Sequence, residues 1–351
     1  YIHGETTALW LHAVRQYYDF TGDEKLLTDL RQNLYKAHDW LAREMEIGKG
    51  VPTNASAGMG ASEIGPLRQN LYSDMYLAAT AAIAMQDYAV LAEVHRNGLL
   101  QKSSEELARK AKDRIANDFW SEKLQSYAHA LLIDNQLSDE RTVWPAVAVM
   151  YGLVDGERAT KTMEWIDSDL LTTPWGTRIL SKDSKYYDPK GYNSGAVWPF
   201  VTGLAALADF QIGRADEGYK KVKAVASLTF SEALGRTPEV LSGSRPRSLD
   251  TSVPHQLFSS MAVVAPVMDG IFGYKPNAGA NKILLQPCFP TGWKTAKAEK
   301  LLFGKTTFDS KIDRDADSYH VLVTWRGENP PEFDLKPKNG KPGKLQIMSA
   351  K

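Results

Sequence analysis

A single cysteine, Cys288, in 351 residues leaves nothing for an intrachain disulfide to pair with and excludes a cysteine-built zinc site. The seven histidines form no HExxH motif and no close pair at helical ligand spacing. Charge of one sign is also lacking. With 42 basic and 42 acidic residues the net charge is +0, which gives no electrostatic footprint for nucleic acid or an acidic membrane. No apolar run reads as long enough to span a bilayer. No signal-peptide pattern leads the chain, which starts at Tyr1 and turns helical almost at once; the true start is expected upstream, and a periplasmic or secreted location is favoured over a cytoplasmic one. Nothing in the sequence sets an oligomeric state. Tryptophan, by contrast, is generous. Nine Trp within a 10% aromatic fraction suit the core and also suit flat platforms for sugar rings.

The first two thirds predict helices joined by loops. Trp10, Val14, Tyr17 and Tyr18 make one apolar stripe, and Thr21 with Glu24 at capping-box distance marks a second helix running to about Ile47. After a Gly-rich crossing, Leu71, Met75, Ala78, Ala79 and Ala82 repeat the helical spacing. SSEELARKAKDRIANDFW reads as an outer amphipathic helix, and SYAHALLID as the one clear strand-like stretch of this part. Further helix pairs follow, one of them from near Ala196, and a last helix is expected over about 255–272. Such αα-hairpins, with no parallel strands between them, stack as an open solenoid or close into a ring. The expectation is an all-α toroid of hairpins over 1–275 with a small β-rich segment over 276–351, its Pro-, Gly- and Lys-rich tail partly mobile.

Four connecting stretches concentrate acids, aromatics and glycine: HGETTALW (3–10), GMGASEIGPLRQN (58–70), TRILSKDSKYYDPKGYNSGAVWP (177–199) and GRTPEVLSG (235–243). In a ring of hairpins the loops at one end converge on a cavity, and function sits on loops held by a rigid scaffold. Glu63 and Glu239 are isolated carboxylates on two of these loops. Glycoside hydrolysis needs such a pair: one carboxyl donates to the departing oxygen, the other activates water or attacks the anomeric carbon. Trp144, Trp198 and Tyr192 suit the apolar face of a sugar. The alternative is that Glu63 caps a loop and Glu239 bonds an arginine. Arg178 suits sugar hydroxyls or an ion pair with Asp188, Gln69 and Asn70 read as opening a helix at the cavity, and the Trp144–Pro step imitates Trp198–Pro.

The 177–199 stretch, with Gly176, Arg178, Tyr187, Tyr192, Gly195, Val197, Trp198 and Pro199, resembles the signature loop of the six-hairpin, (α/α)6-barrel glycoside hydrolases. That group includes bacterial glycogen-debranching amylo-α-1,6-glucosidases and the related α-glucosidases and α-L-rhamnosidases. GETTALWLHAVRQYYDFTGD, with Trp10 in its L-W step, resembles their acid-led first helix; the match implies that Glu5 helps bind the terminal sugar. RTPEVLSG resembles their R-x-P-E-L-x-x-G turn, whose Glu is the base, which falls on Glu239. VPHQLFSS, with Gln256, resembles a P-x-Q helix start. The resemblance spans about residues 1–295. It departs from the pattern at Asn193, where the family has His, and at the acid, for which Glu63 is the best match and Asp74 the fallback. About nine or ten helices are legible where six hairpins need twelve, so one or two are expected from outside this sequence.

The resemblance thus implies an inverting, exo-acting hydrolase of an α-linked oligosaccharide, α-glucoside first, with Glu63 as acid and Glu239 as base. Glu5, Trp10, Gln69, Trp144, Arg178, Tyr192, Asn193, Trp198 and Gln256 are its candidate sugar contacts. A disaccharide phosphorylase, which dispenses with the base, and a catalytically inactive carbohydrate-binding toroid are the rival readings. A terpene-cyclase-like toroid would need an Asp-rich DxDD motif, and the sequence has none.

Overall fold

The computed structural model describes residues 3–60, 65–232 and 234–349. Among the described residues ten α-helices run in chain order: α1 (Glu5–Thr21), α2 (Glu24–Ile47), α3 (Asn54–Ala57), α4 (Met75–Val94), α5 (Gly98–Asp118), α6 (Ala146–Met150), α7 (Gly156–Ile166), α8 (Pro199–Gln211), α9 (Ala215–Leu228) and α10 (Leu257–Ala265). The chain continues from α10 through a π-helical turn, Pro266–Ile271. The helix boundaries have local causes. Asp23, not Thr21, caps α2 by accepting from Leu26 N at 3.0 Å; α1 extends through Thr21, whose hydroxyl donates back to Tyr17 O. Asp74 caps α4 by accepting from Leu77 N, and Pro199 occupies the first turn of α8, where a missing N–H costs nothing.

α1, α4, α6, α8 and α10 pack side by side in that order, backed by α2, α5, α7 and α9 as the outer members of hairpins. Their composition explains the layering. α5 is charged with a narrow buried stripe of Ser104, Ala108, Ala111 and Ile115, whereas α4 is buried nearly all round. α4 is the one described helix long and apolar enough to cross a membrane, against the sequence reading; its place at the centre of the helical core accounts for that composition. Small residues bring the inner helices close. A Cβ on Gly203 of α8 would sit 2.5 Å from the Ala262 Cβ of α10.

The inner helices all begin at one end, because backbone pairings tie their leading loops together in sequence. His3 bridges Met59 ahead of α1 and α4. β1 (Leu71–Asp74) pairs antiparallel with β4 (Ala130–Leu132) ahead of α4 and α6. Between them in sequence lies the β2 (Trp120–Ser121) and β3 (Ser126–Tyr127) ribbon. Thr142 bridges Leu180 ahead of α6 and α8, beside the ribbon of β5 (Thr172–Thr173) and β6 (Gly176–Thr177). Val197 bridges Leu241 ahead of α8 and α10.

The all-α expectation is wrong. Among the described residues about 43% are helical and 21% lie in strands, in five sheets. Leu71 belongs to a strand, so Gln69 and Asn70 lead into β1 and not into a helix. The larger sheets lie beyond α10. One orders as β12-β8-β7, from β7 (Tyr274–Asn277), β8 (Lys282–Leu285) and β12 (Glu332–Leu335). The other orders as β13-β11-β10-β9, from β9 (Thr295–Phe303), β10 (Thr306–Asp315), β11 (Ser318–Trp325) and β13 (Lys341–Ser349). The alternation of β11 puts Tyr319, Val321, Val323 and Trp325 inward. Those side chains share one core with Phe210 of α8 and Val222 of α9, so the sheets are built onto the helical layer. A boundary at 275/276 would fall within β7, and the tail expected to be mobile forms β13, paired in parallel with β11.

Candidate active site

The loop that carries Glu239 is held on both sides. Leu241 exchanges two backbone hydrogen bonds with Val197, at 2.8 and 2.9 Å, and Glu239 N donates to Val253 O at 3.1 Å. Behind the loop, Arg178 donates from Nε to Gly243 O at 2.8 Å and from Nη1 to Asp169 O at 3.0 Å. Its guanidinium is thus directed at backbone carbonyls and makes no ion pair with Asp188 among the described residues. Gly243 serves close approach and not a tight turn: a Cβ there would lie 2.1 Å from Gly195 O.

Held this way, Glu239 is only 8% exposed. Its Oε1 accepts from Tyr192 Oη at 2.7 Å and lies 3.5 Å from Gln256 Nε2, while Oε2 accepts from Val253 N at 3.2 Å. Tyr192 is fixed in turn by Trp198. The two rings meet edge to face with centroids 4.4 Å apart, and Trp198 Nε1 donates to Tyr192 O at 2.9 Å. Gln256 is the N-cap residue of α10, and Phe258 meets Phe200 of α8 at 5.2 Å. A carboxylate, a phenol, an amide and an indole therefore converge where α8 and α10 begin. Asn193, next to Tyr192, is buried, and its Nδ2 has no hydrogen-bond partner among the described residues.

The other candidates lie further along the same end of the helical layer. Trp144, just ahead of α6, is buried against Tyr76 of α4, ring centroids 5.3 Å apart, which places it in the wall. Burial raises the Tyr76 hydroxyl pKa well above its ordinary value, with Tyr151, Glu5 and Asp74 adding to the effect. Glu5 opens α1, 3.4 Å from His3 Nδ1, and Trp10 is half-buried against the helical core. Gln69 is exposed beside the Pro66–Arg68 turn. Asp74 is buried and accepts from both Leu77 N and Asn54 Nδ2, the geometry of a helix cap. Glu63 lies outside the described residues. Sequence reasoning missed the Val253 amide, which carries no side-chain signal, and the packing of Tyr76 on Trp144, hidden in an apolar helical stripe.

A carboxylate held by neutral donors beside aromatic faces, at the shared end of a layer of helical hairpins, has the chemistry to hold a polar ligand with an apolar face. Residues 5–234 match the family described as the mannosylglycerate hydrolase MGH1-like glycoside hydrolase domain, and the chain belongs to that family. It is 25% identical over 279 residues to the solabiose phosphorylase of Paenibacillus borealis, an alignment covering 72% of this chain and 34% of that protein. Among solved structures it is similar to the GH78 family rhamnosidase of Bacillus sp. GL1, with a TM-score of 0.69 and 16% identity over 98% of this chain and 34% of the other. A sialidase gives a TM-score of 0.72 at 15% identity, over 87% of this chain and 30% of the other. These structural likenesses concern the fold. The chain spans about a third of the length of each of these proteins.

Proposed function

We propose that this chain carries the catalytic centre of a glycoside hydrolase that cleaves an α-linked oligosaccharide from its end with inversion, α-glucoside being the first choice. The observation that carries the reading is Glu239, buried and oriented by Tyr192, Gln256 and the Val253 amide between aromatic walls. As general base it would deprotonate the attacking water, and a base set in position before substrate arrives works best. Glu63 would protonate the departing oxygen, at the ~6.5–9.5 Å carboxyl separation that inversion requires. Trp198 and Tyr192 would pack on the sugar, with Glu5, Trp10, Gln69, Trp144 and Asn193 bordering it. In this reading Arg178 positions the Glu239 loop. Neither metal nor organic cofactor enters the reaction.

The likeness to a solabiose phosphorylase favours a second reading, in which phosphate takes the place of the activated water. One experiment separates the two. A panel of aryl and oligosaccharide α-glycosides, with α-glucosides, α-rhamnosides and mannosylglycerate among them, is incubated with and without inorganic phosphate while NMR follows the anomeric configuration. Hydrolysis predicts phosphate-independent release of the inverted sugar, lowered at least ~100-fold by Glu239→Gln and by Glu63→Gln. Turnover only with phosphate selects phosphorolysis, and sugar binding without product selects a non-catalytic module.

A further inference from the structure

A chemically furnished pocket lies away from Glu239. A volume of about 330 Å³ lies against α1, α6, α8 and α10 at their far ends, bordered by Lys275 of β7, Gln286 after β8 and Lys338 after β12. The last residue of α8, Gln211, lines it; thirteen residues separate Gln211 from Trp198, roughly 20 Å of helix. None of Glu239, Tyr192, Trp198 or Gln256 lines it.

Of its polar groups His12 is committed, with Nδ1 2.7 Å from Asp87 Oδ2, but most are not. Gln16, Gln211 and Gln286 present side-chain amides that make no hydrogen bond among the described residues. Lys338 makes no ion pair among them, and Lys275 has only Asp269, at 3.8 Å. Two ammonium groups thus face one carboxylate. Burial, and then Lys275, lower the Lys338 pKa, a penalty that a bound anion would relieve. Primary amides both donate and accept, which suits hydroxyl groups, while Phe210 and Met261 supply apolar faces. The volume, near the small end of ligand pockets, admits a molecule of monosaccharide size.

We propose that this pocket is a second ligand site for a small polyhydroxylated anion, a sugar acid or a sugar phosphate, held by Lys338 and Lys275 at its charge and by Gln16, Gln211 and Gln286 at its hydroxyls. The site is separate from the one at Glu239.

Calorimetric titration of the full chain with glucuronate, glucose 6-phosphate, glucose and inorganic phosphate tests this. One or both hydroxylated anions should bind, at least ~10-fold tighter than glucose or phosphate. Glucuronate alone would identify a sugar acid, and glucose 6-phosphate alone a sugar phosphate. Lys338→Met and Gln211→Leu should each weaken that binding at least ~10-fold, while Glu239→Gln binds as the parent does. Lys275→Gln gives a surface alternative should Lys338→Met fold poorly. Failure of both hydroxylated anions to bind would overturn the proposal, as would phosphate binding equally well, or binding lost in Glu239→Gln but kept in the lysine variants.

Discussion

The Tyr192 hydroxyl donates to Glu239 Oε1 at 2.7 Å, and it is the shortest of the hydrogen bonds that orient this carboxylate. Tyr192→Phe removes the donor and keeps the ring that packs on Trp198. On the proposed chemistry kcat should fall by ~10-fold or more with KM little changed, because the loss is of orientation and not of sugar contact. Steady-state kinetics on the best glycoside checks it. A change in KM alone would make Tyr192 a sugar-binding residue and nothing more.

Arg178 anchors the back of the same loop. Arg178→Met leaves Gly243 O without its charged donor, and thermal unfolding should show a loss of about 2 kcal/mol. Gly243→Ala drives a methyl against Gly195 O and should disturb the loop from the front. Both variants should lower kcat; a variant that loses stability with kcat intact would dissociate the loop's position from turnover.

Packing between inner helices gives a test independent of function. Gly203→Ala places a methyl 2.5 Å from the Ala262 Cβ, and should cost ~1–3 kcal/mol in denaturant unfolding. Ala262→Gly in the same chain should recover part of that cost. Equal stability of the single variant and the parent would show that α8 and α10 stand further apart.

His38 supplies a pH signature. It is buried, stacked on Tyr88 at 4.1 Å and bonded to Ser104 Oγ; burial lowers its pKa to about 4, with Asp39 opposing. Its folded pKa lies below the unfolded one, so between about pH 4 and 6.5 the unfolded chain binds a proton that the folded chain refuses. Stability from this group is complete above pH 6.5 and falls as pH drops, by roughly 1.4 kcal/mol per unit. Urea unfolding of the parent and of His38→Gln at pH 5 and pH 7 should show the steeper loss in the parent. Parallel slopes would mean that His38 is protonated in the folded state.

The helices were legible because their apolar periodicity is strong: α2 ends at Ile47 as its pattern predicts, and α5 reads as an outer helix from its charge alone. The loops were legible through Pro, Gly and Trp, which led to Glu239. What escaped was tertiary. Leu71 follows the helical spacing of α4 yet joins a strand, because β4 arrives from 60 residues away to pair with it. Arg178 looked like a sugar or Asp188 ligand because nothing local announces that Gly243 O will lie beside it. The sheets beyond α10 were expected as an appendage, and only their shared core with Phe210 shows them built into the helical body.

Because the leading loops of the inner helices are stitched to one another and each inner helix runs away from that seam, the spacing of the residues that the seam carries does not depend on how long any helix is. The short turn between α4 and α5, His95–Asn97, lies at the opposite end. A peptide tag or a grafted domain placed there would enlarge the protein while leaving the geometry around Glu239 as it is.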